Sequence, residues 1–262
     1  MLEVERFLSP DTDASKPYIV GHRGSPATAP ENTLASFSVA IEIGADAIEL
    51  DVHQTSDAIP VVIHDEALDR TTDGTGMVNS RDLEYIKRLD AGKWYSREHA
   101  GEKVPTLEEA LELICRNKIA LVEVKHGSDF YPGIEENIVA TVSERKEWKR
   151  RTVFIAFDPS LLQKINELDP DLRTGLLILD PPEEYVEVIE DFGISSIFPR
   201  WEKLKNDSIR SVHEKGYSVH PWVMDTESDM KKVLAMGADS LSSNHPEVLS
   251  RIISNIKNNG NS

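Results

Sequence analysis

The stretch Ala47-Ile48-Glu49-Leu50-Asp51-Val52 decides the reading of this chain. Apolar and acidic residues alternate through it with the period of a β-strand. Glu49 and Asp51 therefore share one face, and Ile48, Leu50 and Val52 share the other. Two carboxylates side by side on an otherwise aliphatic strand resist joint ionisation unless a cation lies between them. One reading is a half-exposed edge strand with its acids in water, but Glu and Asp are depleted in strands. The other is a platform of hard oxygen ligands for a divalent cation. The flanking sequence favours the platform.

Upstream, Tyr18-Ile19-Val20-Gly21 reads as a short buried strand ending in His22-Arg23-Gly24. After Pro30-Glu31-Asn32-Thr33 the apolar spacing turns helical from Leu34 to Ile43, with Asn32 or Thr33 as its cap and Gly44 as its end. Strand, helix and strand form a βαβ unit, which implies a parallel sheet. Downstream, Val61-Val62-Ile63-His64-Asp65 follows with no intervening helix, so it returns antiparallel as a hairpin. A turn centred between Asp57 and Ala58 would set His64 opposite Asp51.

Residues 66–105 break the repeat and read as a small insertion at the mouth of a barrel. Regular alternation resumes at Thr106, which caps a helix over 107–116. Strands are expected at 119–125, 152–157, 173–178, 194–198, 217–223 and 239–243, each followed by a helical pattern. With 18–22 and 46–52 they make eight parallel strands, the α/β class and a TIM (β/α)8 barrel, here one domain over 1–262. No G-x-G-x-x-G follows a strand, so the main sign of a dinucleotide fold is missing. Residues 1–16 read as a loose or surface-laid polar leader.

Length and composition agree, since 262 residues suit one such barrel. The single cysteine, Cys115, excludes an intrachain disulfide and a Cys-based zinc site. No apolar run approaches the ~20 residues of a membrane span, and Met1–Arg6 lacks the pattern of a secretory signal. A cytoplasmic location without stable membrane association is the expectation. Forty-six acids against 29 bases give a net charge of −17. That argues against nucleic acid or an anionic membrane as partner. A small anionic substrate is compatible with it where a metal, Arg and Lys reverse the field locally.

Catalytic groups of such a barrel sit at the C-terminal strand ends, and the polar residues of this chain collect there. His22 and Arg23 end the first strand, Glu49 and Asp51 lie toward the end of the second, Glu123 and Lys125 end the third, and Trp222 ends the seventh. Glu49, Asp51 and Glu123 suit Mg²⁺ or Ca²⁺. His22 and His64 suit proton transfer near neutral pH. Arg23 and Lys125 suit phosphate oxygens, although Lys125 also reads as a simple ion-pair partner of Glu123. His99, His126, His213 and His220 read as satisfied polar side chains near the surface. Together the rim groups describe metal-assisted cleavage of a phosphate ester.

The ordered set His22-Arg23-Gly24, Pro30-Glu31-Asn32-Thr33, Glu49-Leu50-Asp51-Val52, Val61-Val62-Ile63-His64-Asp65, Leu68-Asp69-Arg70-Thr71-Thr72, Leu89-Asp90-Ala91-Gly92-Lys93-Trp94, Val104-Pro105-Thr106-Leu107-Glu108-Glu109 and Val122-Glu123-Val124-Lys125 resembles the glycerophosphodiester phosphodiesterase family. The resemblance implies a divalent cation on Glu49, Asp51 and Glu123, and hydrolysis of glycerophosphodiesters to glycerol 3-phosphate and an alcohol. It implies His22 and His64 as the acid/base pair, Arg23 and Lys125 on the phosphate, and Phe157 and Trp222 beside the glycerol. Glu31 and Asn32 would belong to the rim, Glu31 next to the metal shell or its waters. The chain departs from the family pattern at Asp225, where Asn is usual, and at Asn244, where Asp is usual. Two rival readings share the residues. One is a phospholipase D-type hydrolase of lysophospholipids, which would want an apolar groove that 66–105 does not offer. The other is a non-catalytic phosphate-binding barrel, which should have lost a histidine or a metal carboxylate.

Overall fold

The computed structural model describes residues 3–10 and 17–260, with side chains over 4–10 and 17–255. Its strands are β1 (Tyr18–Gly21), β2 (Ala47–Gln54), β3 (Pro60–Val62), β4 (Ile119–Val124), β5 (Thr152–Ala156), β6 (Arg173–Ile178), β7 (Ser196–Pro199), β8 (Ser218–Val219) and β9 (Ser240–Ser243). Eight run parallel in the order β8-β7-β6-β5-β4-β2-β1-β9, and β3 hangs antiparallel from β2. Hydrogen bonds from Asp239 N–H to Val219 O, Ser242 N–H to Pro221 O and Met224 N–H to Ser242 O draw the two ends together into a nearly closed barrel. The expected (β/α)8 architecture is present. The expected strand over 217–223 is regular only through Ser218–Val219, beyond which Trp222 still pairs with Arg200 in an isolated bridge, and the helical pattern after β4 divides into Ile134–Ser143 and Lys146–Lys149.

The alternation within β2 sets what the strand faces. Ile48, Leu50 and Val52 point outward and join Phe37, Leu111 and Ile138 in the core between sheet and helices. Ala47 points inward with Val20, Leu121, Ile155 and Phe198, and further along the same face come Glu49, Asp51 and His53, all buried. The helix Leu34–Ile43 that carries the chain from β1 to β2 is capped by Thr33, whose hydroxyl accepts from Ser36 N–H, and Gly44 closes it in the left-handed conformation (φ 95°). Thr106 and Glu109 form a reciprocal capping box before the helix Leu107–Ile114.

The N-terminal segment is not a loose leader. Glu3–Phe7 forms a short helix whose Val4 and Phe7, followed by Leu8, are buried against the inward strand residues and close the floor of the barrel. The rest of the expected leader, 11–16, lies outside the described residues. The same floor corrects the expectation for His220, which is 1 % exposed rather than near the surface. Its ring stacks on Phe7 with centroids 4.4 Å apart and on Phe198 at 4.7 Å. Ser218 donates its hydroxyl to Leu8 O and accepts from His220 Nε2–H, and Ser240 bonds Nδ1, each at 2.9 Å.

The hairpin register also differs from expectation. Pairs Val52–Val62, His53–Val61 and Gln54–Pro60 centre the turn on Asp57, one half-residue earlier than expected. Ile63, not His64, therefore lies beside Asp51, with Ile63 N–H donating to Asp51 O at 3.0 Å. The turn spans five residues from Thr55 to Ile59 because Ala58 takes the left-handed conformation (φ 65°) and Thr55 N–H closes on Ile59 O. His64 then leaves the ladder and swings over the barrel mouth. The insertion that follows has its own small core of Leu68, Val78, Ile86, Leu89 and Val104 beneath Val61 and Ile63. Among the described residues no helix is long and apolar enough to cross a membrane.

Two stability measurements test the floor of the barrel. Phe7→Ala is expected to lower the unfolding free energy by about 3–5 kcal/mol in urea titration, the range for a fully buried aromatic cut to methyl. Burial holds His220 neutral and pushes its pKa from 6.5 down to about 4. The unfolded chain binds the extra proton between those values, so this stability is whole above pH 6.5 and drains as the pH falls toward 4. The difference amounts to about 3 kcal/mol, and His220→Gln should flatten that part of the pH–stability curve.

Candidate active site

The turn after β1 is the first element of the site. Gly21 and Gly24 let it fold tightly: a Cβ on Gly21 would lie 2.4 Å from Gly24 O, and one on Gly24, at φ 90°, would strike Ser36. Arg23 and Asn32 both adopt left-handed backbone (φ 54° and 57°), which costs about 1–3 kcal/mol each for residues with a Cβ. Both are held there by the acids of β2. Arg23 N–H donates to Glu49 Oε2 at 2.8 Å, its Nε lies 3.2 Å from Asp51 Oδ2, and its Nη1 bonds Glu31 Oε1 at 2.9 Å. Asn32 Nδ2 donates to Asp51 Oδ2 at 2.7 Å and its Oδ1 accepts Asp51 N–H at 3.3 Å. Strain in the loop is offset by pairing with buried carboxylates.

Parallel register places Asp51 beside Glu123 on β4. Glu49, Asp51 and Glu123 each present an oxygen, and these oxygens lie within 4.8 Å of one another. Lys125 pairs with Glu123, as one of its two readings has it, and with Asp51 as well: its Nζ is 2.7 Å from both Glu123 Oε1 and Asp51 Oδ1. The electrostatics are those of a crowded anionic site. Burial, with the charges of Asp51 and Glu123, holds Glu49 well above the usual carboxylate range. Burial and Asp51 push Glu123 up to about 7. Burial alone would raise Asp51 too, but Lys125 and Arg23 outweigh it and hold Asp51 well below that range. Glu49 Oε1 is buried without a hydrogen-bond partner. An orphaned carboxylate oxygen beside two further acids fits a divalent cation, since hard oxygen donors at this spacing are what Mg²⁺ and Ca²⁺ take.

Both expected histidines reach this rim. His22 Nδ1–H donates to Asn244 Oδ1 at 2.7 Å, and its Nε2 lies 3.9 Å from Glu49 Oε2. Asn244 is itself fixed by Asp225, which accepts from its side-chain and backbone N–H at 2.7 and 2.9 Å. The two departures from the family pattern are thus one interlocked pair. Burial first, then Arg23, push the His22 pKa down to about 4. His64 Nδ1–H donates to Asp65 Oδ1 at 2.7 Å. Burial lowers its pKa while the charge of Asp51 acts against that.

His22, Arg23, Glu49, His64, Glu123, Lys125, Phe157 and Trp222 ring one cavity of about 210 Å³, whose depth is walled by Val20, Leu121, Ile155 and Phe198. Phe157 and Trp222 meet edge to face at 5.9 Å, and Trp222 Nε1 donates to Phe198 O. Every residue expected around metal, phosphate and glycerol therefore converges. Glu31 stands on the same rim, paired with Arg23 and Arg70 beside the three-acid cluster. Asp65, Arg70 and His53 carried no expected role. His53 follows Glu49 and Asp51 at the same period of two, and its Nε2–H donates to His64 O at 2.9 Å while Tyr131 bonds its Nδ1. Asp65 is adjacent to His64 in sequence, so a carboxylate behind the imidazole was legible; the reach of Arg70 was not.

Residues 22–248 match the model of the glycerophosphoryl diester phosphodiesterase family. A glycerophosphodiester phosphodiesterase of Caldanaerobacter subterraneus subsp. tengcongensis is 36% identical over 239 residues, covering 91% of this chain and 98% of the relative. One of Bacillus subtilis is 32% identical over 94% of this chain and 88% of its own length. Among solved structures, an Oleispira antarctica phosphodiesterase in complex with the product sn-glycerol-3-phosphate superposes with a TM-score of 0.82 at 31% identity, covering 91% of this chain and 97% of its own. A barrel whose strand ends gather these acids and imidazoles, matched over nearly its whole length by such relatives, belongs to the glycerophosphoryl diester phosphodiesterase family and is a phosphoric diester hydrolase.

Proposed function

We propose that the chain hydrolyses small glycerophosphodiesters to glycerol 3-phosphate and an alcohol, by acid/base catalysis from His22 and His64 beside a divalent cation. The observation that carries the reading is the convergence on one cavity of three carboxylates, two differently partnered imidazoles and the Arg23 guanidinium. Glu49, Asp51 and Glu123 would hold Mg²⁺ or Ca²⁺. The bound ion would supply Lewis-acid stabilisation of charge on the phosphoryl oxygens.

Arg23 and Lys125 add positive charge on the phosphodiester where charge grows in the transition state. His22 is backed by a neutral amide, with Nδ1–H committed to Asn244. That leaves the Nε2 lone pair free to accept a proton from the attacking hydroxyl. His64 is backed by the Asp65 carboxylate, which stabilises its protonated form and suits it to protonate the departing alkoxide. Phe157 and Trp222 give the glycerol an apolar wall. The product held by the Oleispira antarctica relative is consistent with glycerol 3-phosphate as the part that stays.

Release of glycerol 3-phosphate from sn-glycero-3-phosphocholine is the direct assay. It is expected to stop in EDTA and return with Mg²⁺ or Ca²⁺. A lysophospholipid in the same assay should turn over far more slowly. His22→Ala and His64→Ala should each lower kcat by about 10²-fold or more while leaving circular dichroism and the melting temperature near those of the parent. Full metal-dependent turnover in both would exclude the assignment.

Cation binding has a readout apart from turnover. Metal at about 100 times its Kd adds roughly 2.7 kcal/mol to stability, so Mg²⁺ or Ca²⁺ should raise the melting temperature of the stripped protein. Glu49→Gln should abolish that rise.

A further inference from the structure

We propose that Arg70, which enters the site from the insertion, is a positioning residue that sets the tautomer and aim of His64. The proposal rests on the reading of His64 as a proton-transfer group. Arg70 grips two carboxylates at once. Its Nε and Nη2 bond Asp65 Oδ2 and Oδ1 at 2.6 and 3.0 Å, and its Nη1 and Nη2 bond Glu31 Oε2 and Oε1 at 3.0 and 2.8 Å. A planar guanidinium engaged bidentately on two sides has one orientation available, and so do the acids it holds.

The Asp65 side chain is about one-third exposed (32%). Without Arg70 it would be free to turn into water. With Arg70 in place its Oδ1 stands 2.7 Å from His64 Nδ1. A neutral imidazole in water favours its proton on Nε2, and a fixed carboxylate at Nδ1 reverses that preference, because which nitrogen carries the proton follows the bond the other makes. The proton of the neutral ring then sits on Nδ1, so Nε2 is the nitrogen that takes up the second proton and, in the imidazolium, gives it to the departing alkoxide. The main chain of His64 is held separately through His53 and Tyr131. Ring and backbone thus have independent anchors, and only the ring anchor depends on Arg70.

The other hand of the guanidinium continues through Glu31 to Arg23 and from Arg23 to Asp51. Docking of the insertion therefore completes the rim on both sides of the cavity. The pairs of Arg70 are partly exposed, with its own side chain 43% accessible. Their share in overall stability is accordingly small, and a change at Arg70 should be felt in the geometry of His64.

Protein carrying ¹⁵N-histidine gives the test. Long-range ¹H–¹⁵N spectra at pH 8 should show His64 with Nδ1 protonated and Nε2 bare in the parent. Arg70→Met should move His64 toward the Nε2–H tautomer, and Asp65→Asn should do the same. Arg70→Met should also lower kcat for sn-glycero-3-phosphocholine by about 10- to 100-fold, the range for a group one step behind the reacting atoms. KM should change by less than about threefold, and the denaturation midpoint should barely move.

Arg70→Lys, which keeps the charge but loses the fork, should fall between parent and Arg70→Met, and it serves as the variant if Arg70→Met does not fold. An unchanged His64 spectrum overturns the proposal, whether kcat falls or not. So does a kcat within about twofold of the parent in Arg70→Met when His64→Gln itself loses turnover. Should His64→Gln retain full turnover while the Arg70 spectra still shift, the catalytic reading of His64 fails and the positioning claim stands.

Discussion

Crowding of negative charge on the inner face of two adjacent strands is the constraint to which the rest of the site answers. Glu49 and Asp51 are buried and Glu123 is partly buried, all within a few ångströms of one another, where isolated carboxylates would not stay ionised together. The chain meets that cost with cations and dipoles from four directions. Lys125 lies between Asp51 and Glu123, Arg23 reaches Asp51 from the turn after β1, Asn32 donates from the following loop, and the backbone N–H of Arg23 meets Glu49. What is left over, a bare oxygen of Glu49 and two carboxyls held above their usual range, is the part a divalent cation would complete.

The same constraint accounts for the local backbone. Left-handed Arg23 and Asn32 are unfavourable in isolation, and each is pinned by a bond to a β2 acid that is itself unfavourable without a donor. Two costs cancel against each other, which ties the first βα loop to the second strand. The histidines are then set from outside the charged cluster, His22 by Asn244 beyond β9, itself held by Asp225 beyond β8, and His64 by Asp65 beyond the hairpin. One imidazole has a neutral amide behind it and the other a carboxylate. Two groups with the same intrinsic chemistry are made unequal by their second neighbours.

Below the site, the barrel floor shows why the N-terminal segment belongs to the domain. Strand positions there carry small side chains such as Ser218 and Ser240, and the room they leave is taken by Phe7, Leu8 and His220. A packed floor keeps the inward faces of the strands fixed relative to one another, and with them the spacing of the acids at the other end.

The repeating pattern alone determined the eight-stranded barrel, the inward face of β2 and the sorting of Glu49, Asp51, Glu123, His22 and Trp222 to one rim. Those follow from a period of two along each strand and from the regular alternation of strand and helix, both of which are local. Local signals did not determine the hairpin register, because Ala58 enters a left-handed conformation that its side chain gives no reason to expect. Nor did they reveal that Val4 and Phe7 plug the floor, since an apolar residue in a polar leader acquires meaning only from the cavity it meets. The pairing of Asn244 with His22 across 222 positions and the grip of Arg70 on Asp65 and Glu31 were decided by tertiary structure. Barrel closure and the docking of the insertion bring those residues together, and the hydrogen bonds that orient a reactive ring depend on distances that no spacing along the chain encodes.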